Sequence, residues 1–529
     1  MLKAEKCNYF DKKFGLYSGR LSGAFFCSIA LLVAATSIAN GQAQLSVASP
    51  FTSNAVLQRG MPVPVWGNAK PGATVTVEFA QQQQTAVVDA DGKWQVQLET
   101  MRANSEAQVL KISSGDSDIS IENVLVGEVW ICSGQSNMGM AVDNVPQVKA
   151  LLPCPPNIRC LEVKRTVAMT EQDRFQGEWV EKQPSSAVAF AFAHYFEKAN
   201  DVPVGIILAA WGSSSIEAWM PRDMTETVPH FKTMMDEFDA DLATRDRITS
   251  ILETGKKWSR TDDIFLRRQS NILYNAMMHP LAPYACRGLV WYQGERNTQS
   301  MFGMLETPWY SRNSGMLKYG STLKAWIQRC RKEWGNDEMH FMIVMLPGYH
   351  KRLPTGPQMA REKGAIHPAV HSWAWMRESQ MSALELENTS VVNTIDLGDL
   401  KNIHPKDKLP VGRRLSQLAM RETLGKEVPA LGPMLAVTEK HGAEIVVNFR
   451  NAEGLTTSDG TAPRGFWVSD DSGEWVEANA KLQGETVVLS STLENPSYVR
   501  YAFAGKPDVN LVNGANLPAY PFRTDDFEP

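Results

Sequence analysis

Between Glu122 and Lys426 short apolar runs alternate with helical stretches. That alternation leaves few architectures open. Runs too short to be helices, separated by amphipathic segments, pack as a parallel sheet with helices over its faces, an α/β fold. The runs are Val124 to Cys132, Val204 to Ala210, Gly288 to Tyr292, Phe341 to Leu346 and Ser390 to Ile395. Ala187 to Ala199 reads as a helix with an apolar face. Pro410 to Leu424 reads as the closing helix, with Gly425 as its stop. Arg222 to Arg268 is charged and mostly helical, an insertion over one edge of the sheet. The first three runs end in small or polar residues: Ser133 to Asn137, Trp211-Gly212-Ser213, and Gln293-Gly294-Glu295. The carboxyl ends of parallel strands are where such sheets present their chemistry.

Ser136 is the candidate nucleophile, with Gly134 allowing a sharp turn before it. The Gly-x-Ser-x-Gly elbow is not present, because Met138 occupies the second glycine position. A base must come from elsewhere. His404 is the best placed of nine histidines, in a loop after the last run and before the closing helix. His279 lies in the apolar run Met277 to Leu281 and reads as a core histidine.

At 529 residues the chain is too long for one core, and several domains are expected. Residues 44–120 show period-two alternation, as in Thr74 to Phe79 and Trp94 to Leu98, and read as an N-terminal β domain. Residues 121–426 form the α/β domain, with the helical insertion at 222–268. Residues 427–529 read as a second β domain. Gln81 to Gln84 reads as a loop. Tryptophans 66, 94, 467 and 475 are assigned to core packing. Lys3, Lys6, Lys12, Lys13 and Arg20 precede an apolar stretch from Ala24 to Ala35 and then small residues. That is the layout of a signal peptide over 1–43, so the expected location is secreted or periplasmic.

Export permits disulfides, and Cys154 and Cys160 are spaced to bridge a loop. Cys132 and Cys286 lie on or beside apolar runs and read as buried thiols. No Cys-x-x-Cys or His-x-x-x-His spacing suggests a metal, and no phosphate loop is seen, so no cofactor is expected. A net charge of −5 gives no reason to expect nucleic acid or an anionic membrane as a partner.

Four blocks then carry a resemblance: Gly134-Gln-Ser-Asn137, Trp211-Gly212, Trp291 to Asn297, and Ile403-His-Pro405. In this order they resemble the blocks of the SGNH hydrolases, in the branch of sialate O-acetylesterases and related carbohydrate acetylesterases. The similarity extends to both flanking β regions, including the Phe522 to Asp525 ending. The resemblance implies an SGNH-type three-layer parallel sheet and a secreted serine esterase. That enzyme hydrolyses acetyl esters on sugars through an acyl-serine intermediate, without metal or cofactor. Its partner is an acetylated sugar or glycan.

By the same pattern Ser136 attacks and His404 takes its proton. The backbone N–H groups of Ser136 and Gly212 and the side-chain amide of Gln293 form the oxyanion hole. Glu295, Asn137, Asp399 and Asn402 are candidates for supporting roles. The chain departs from the family near the base. Lys401 and Asn402 stand where members carry aspartate, three and two residues before His404. The orienting role is thus left to Asn402, a carbonyl, or Asp396 or Asp399 folding back. Ser213 replaces a second glycine, and Arg296 stands where serine is usual. Two further readings stay open: an acetylxylan or other polysaccharide acetylesterase, and a non-catalytic glycan-binding protein with a decayed site.

Overall fold

Seven strands lie side by side in the order Trp179–Val180, Ile158–Glu162, Val204–Ala210, Ser117–Gly134, Gly288–Tyr292, His340–Val344, Thr389–Val392. Every neighbouring pair is parallel except the first. This computed structural model describes residues 44–303, 313–350, 359–370 and 373–529; the expected leader at 1–43 lies outside them. All residues of Val204–Ala210, Gly288–Tyr292 and His340–Val344 are buried, so both faces of the sheet are covered. Parallel sheets need this, because their crossover helices pack on the faces.

Which helix covers which face follows from register. Trp130 pairs with Gly288, so Trp291 points to the opposite side. Trp130 packs edge-on against Phe192 of the helix Ala187–Asn200, with ring centroids 5.5 Å apart. Trp291 packs at 4.4 Å on Trp326 of the helix Gly315–Trp334. The closing helix Leu409–Leu424 lies against Ala187–Asn200. A Cβ at Gly412 would run into Ala191 there, so glycine sets the approach of the two helices.

The α/β class read from the sequence is borne out, as a mixed sheet. The strand Ser117–Gly134 is 18 residues long and does two jobs. Its first half pairs antiparallel with Asn104–Ser114, and its second half is the central strand of the parallel sheet. Val56–Gln58 also pairs beside it. The boundary expected at 120–121 therefore falls inside one strand, and the β region shares a sheet with the α/β region.

Gln82–Val87 is a strand, not part of a loop. Ala80 and Gln81, at φ 50° and 64°, make a two-residue turn that lets it pair with Thr74–Phe79. Trp94 is buried and Trp66 packs edge-on to Phe51 at 5.0 Å, so both serve the core. The segment from 222 to 268 holds the helices Pro229–Ala240, Leu242–Glu253 and Arg260–Leu266. Beyond residue 427 two four-stranded antiparallel sheets form. The bridge suggested for Cys154 and Cys160 is not made: all five cysteines of the described chain are free thiols. Among the described residues no helix is long and apolar enough to cross a membrane.

Candidate active site

Ala210 and Tyr292 both pair with Gly134, so three adjacent strands end level. The turns carrying Ser136, Gly212 and Gln293 therefore leave the sheet side by side. Gly134 sits at φ 135°, and a Cβ there would run into the Tyr292 carbonyl. Gln135 N–H donates to that same carbonyl at 3.0 Å. Only glycine permits this close approach, and it swings the chain so that Ser136 emerges half-exposed at the rim.

His404 comes from a loop 268 residues away in sequence, and its Nε2 lies 2.8 Å from Ser136 Oγ. Burial and the neighbouring Lys408 cation hold its imidazole below the ordinary histidine range. A lowered value keeps the ring neutral, and so able to accept a proton, at more acid pH.

The loop that presents His404 is built by short side chains. Asp399 Oδ1 accepts from the Lys401 and Asn402 N–H groups at 2.7 and 2.6 Å. Those bonds hold its carboxyl below the usual carboxylate range. Asn402 Oδ1 accepts from the His404 backbone N–H at 2.9 Å. Asp396 is held by Arg414 at 2.7 Å. Asp399 and Asn402 thus shape the loop rather than bind the ring, and Asp396 is spent elsewhere.

Asn137 joins the two halves of the site. Its Nδ2 donates to Glu295 Oε1 and, at 3.0 Å, to the Ile403 carbonyl beside His404. Its Oδ1 accepts from Lys408 Nζ at 2.7 Å. Glu295 and Lys408 are both buried, and Lys408 Nζ lies 5.0 Å from the centre of the Tyr292 ring. Burial pushes the Glu295 carboxyl up and pulls Lys408 down to about 8, each opposed by the charge of the other. The sequence singled out Asn137 and Glu295 but missed Lys408. A lysine ahead of an amphipathic helix reads as solvated, and nothing in the chain marks it as buried.

Gln293, expected as an oxyanion-hole donor, has its side-chain amide engaged by the protein. It is fully buried, and its Nε2 faces three acceptors: Asn297 Oδ1 at 2.9 Å, Ser214 O at 3.1 Å and Gln135 Oε1 at 3.2 Å. Its Oε1 accepts from Tyr319 OH at 2.8 Å. An amide has two N–H hydrogens, and protein acceptors take both. Gln293 therefore pins together the three turns that carry the site. Asn297 extends the clamp to the buried Glu217 carboxylate at 3.1 Å. Gly212 fits its expected place: a Cβ there would lie 3.2 Å from Ser136 Cβ. His279 is satisfied by Glu333 at 3.0 Å and is half-exposed rather than in the core.

A serine hydroxyl bonded to an imidazole at the carboxyl ends of a parallel sheet is an arrangement of the serine-hydrolase class. The comparisons agree. The family model described as "Carbohydrate esterase, sialic acid-specific acetylesterase" matches residues 126–420. The human sialate O-acetylesterase is 28% identical over 488 residues, covering 84% of each chain. The mouse protein of the same name is 25% identical over 420 residues, covering 70% of this chain and 72% of that one. A solved carbohydrate acetylesterase from Xanthomonas citri superposes with a TM-score of 0.73 at 28% identity. It is covered completely, over 91% of this chain. The chain belongs to the family of sialic acid-specific carbohydrate acetylesterases and is a carboxylic ester hydrolase.

Proposed function

We propose that this protein is an exported serine O-acetylesterase of SGNH type that removes acetyl groups from sugars through an acyl-serine. One observation carries the reading: the 2.8 Å bond between Ser136 Oγ and His404 Nε2. The Ser136 hydroxyl proton passes to His404 as Oγ bonds to the acetyl carbon. The carbonyl oxygen becomes an oxyanion, which the backbone N–H groups of Ser136 and Gly212 stabilise. The intermediate collapses, the bond from carbon to the sugar oxygen breaks, and His404 returns the proton to that oxygen. Water then attacks the acetyl-serine, His404 takes the water proton, and acetate leaves as Ser136 regains its hydrogen. Gln293 acts by holding the turns in place.

The flanking β regions support the sheet, and the leader at 1–43 directs export. The test is acetate release from a generic aryl acetate. Wild type should turn over and Ser136→Ala should lose activity by at least about a thousandfold. Equal slow rates from the two proteins would end the reading.

A further inference from the structure

His404 rides on the loop 396–408, and the neck of that loop rests on the C-terminal β region. Gly348, beyond the end of the strand His340–Val344, is the point of contact. Its N–H donates to the Leu397 carbonyl at 2.9 Å, and it forms a β-bridge with Gly398. A Cβ at Gly398 would run into the Gly348 backbone, and a Cβ at Gly348 would run into Lys506 Cδ. The stem of Lys506, the Gly348 backbone and the neck of the His404 loop therefore lie in successive contact. Two glycines permit the approach.

The backbone around Lys506 is pinned on both sides. Arg377, buried on the helix Ala374–Met381, donates to the Leu346 and Pro347 carbonyls at 2.8 and 3.2 Å. It also donates to the Ala504 and Gly505 carbonyls, at 2.6 Å each. The Gly505 carbonyl accepts from Tyr349 N–H at 3.0 Å, and Lys506 N–H donates to the Ala365 carbonyl at 2.9 Å. One guanidinium thus ties the strand end that leads to Gly348 to the segment that carries Lys506.

The neck itself is acidic. Asp396 and Asp407 stand at its two ends, and Asp407 Oδ2 accepts from Gly398 N–H at 3.3 Å, closing the loop. Burial and the Arg377 cation pull the Lys506 ammonium below the ordinary lysine range, against the pull of Asp396, Asp407 and Asp508. Asp399, already held down by the Lys401 and Asn402 N–H groups, feels the Lys506 charge as well. One half-buried cation therefore faces three carboxylates of the loop that presents His404.

We infer that Lys506 is a positioning residue for His404. Its charge, delivered by the C-terminal β region, draws the two ends of the loop together and keeps the imidazole in line with Ser136. Solvent screens a half-buried charge less than one on the open surface. Small misplacements of a reacting group are costly, about a hundredfold for 1 Å. The inference rests on the esterase reading above, in which His404 is the base.

The test measures kcat and KM on an aryl acetate for Lys506→Met and Lys506→Arg, at a temperature where circular dichroism shows each protein fully folded. Lys506→Met keeps an apolar stem and loses the charge. It should lower kcat by about three- to tenfold, with KM little changed. Lys506→Arg keeps the charge and should retain most of the wild-type kcat. A lysine that only stabilised the fold would lower the unfolding midpoint and leave kcat of the folded protein as in wild type. Unchanged kcat in Lys506→Met, equal losses in both variants, or a loss carried by KM alone would overturn the inference. Wild-type turnover that depends on Ser136 would in each of those cases leave the esterase reading standing.

Discussion

Lys408 Nζ donates to Asn137 Oδ1 at 2.7 Å, and Asn137 in turn grips the carbonyl next to His404. A buried cation thus reaches the imidazole by two routes, through the bonds that hold its loop and through its field. Lys408→Met should lower kcat by about ten- to a hundredfold, the worth of a buried charged hydrogen bond. The acid limb of the pH profile should move upward, since the cation that depresses His404 is gone. A loss of rate with no movement of that limb would leave Lys408 a purely structural part.

In the wild type kcat/KM should fall on the acid side below the ordinary imidazole value of about 6.5. Stability follows the same proton. The folded His404 binds it less readily than the unfolded chain, so stability rises with pH from the depressed value up to about 6.5. Rates measured across the acid range, beside unfolding midpoints at each pH, check both statements.

Gln293→Ala separates two roles for one residue. As an oxyanion donor its loss would cost about a hundred- to thousandfold in kcat with no change in stability. As a clamp its loss removes the bonds to Asn297, Ser214 and Tyr319 that tie the turns together, at about 0.5–1.5 kcal/mol for each. A lowered unfolding midpoint is expected, because the hydrogens of the amide are already engaged.

Ser213 occupies φ 63°, a left-handed conformation that costs a residue with a Cβ about 1–2 kcal/mol. Ser213→Gly should therefore stabilise the protein by about 1 kcal/mol, less the extra entropy of the unfolded glycine. Denaturant titration of both proteins measures it.

The strands and their order of use were legible because buried parallel strands leave continuous apolar runs. Val204–Ala210 and Gly288–Tyr292 have the bounds that the sequence suggests. Ile158–Glu162 was missed, since charged residues at 159 and 162 break its run. The pairing of Ser136 with His404 came from ordered blocks, as no local pattern reports a contact across 268 residues. Gln82–Val87 was hidden because its turn uses Ala80 and Gln81, residues that rarely announce a hairpin. The Gln293 clamp and the Lys408 contact are matters of side-chain direction, and residue types alone do not disclose direction.

The long strand Ser117–Gly134 has a practical outcome. Trimming the gene near codon 120 to obtain a minimal enzyme would cut away the partners that brace its leading half. What remained would carry its attacking residue at the far end of a strand whose leading half is frayed. Shortened versions should begin before residue 45, and exchange of the leading module between relatives should carry the whole strand with it.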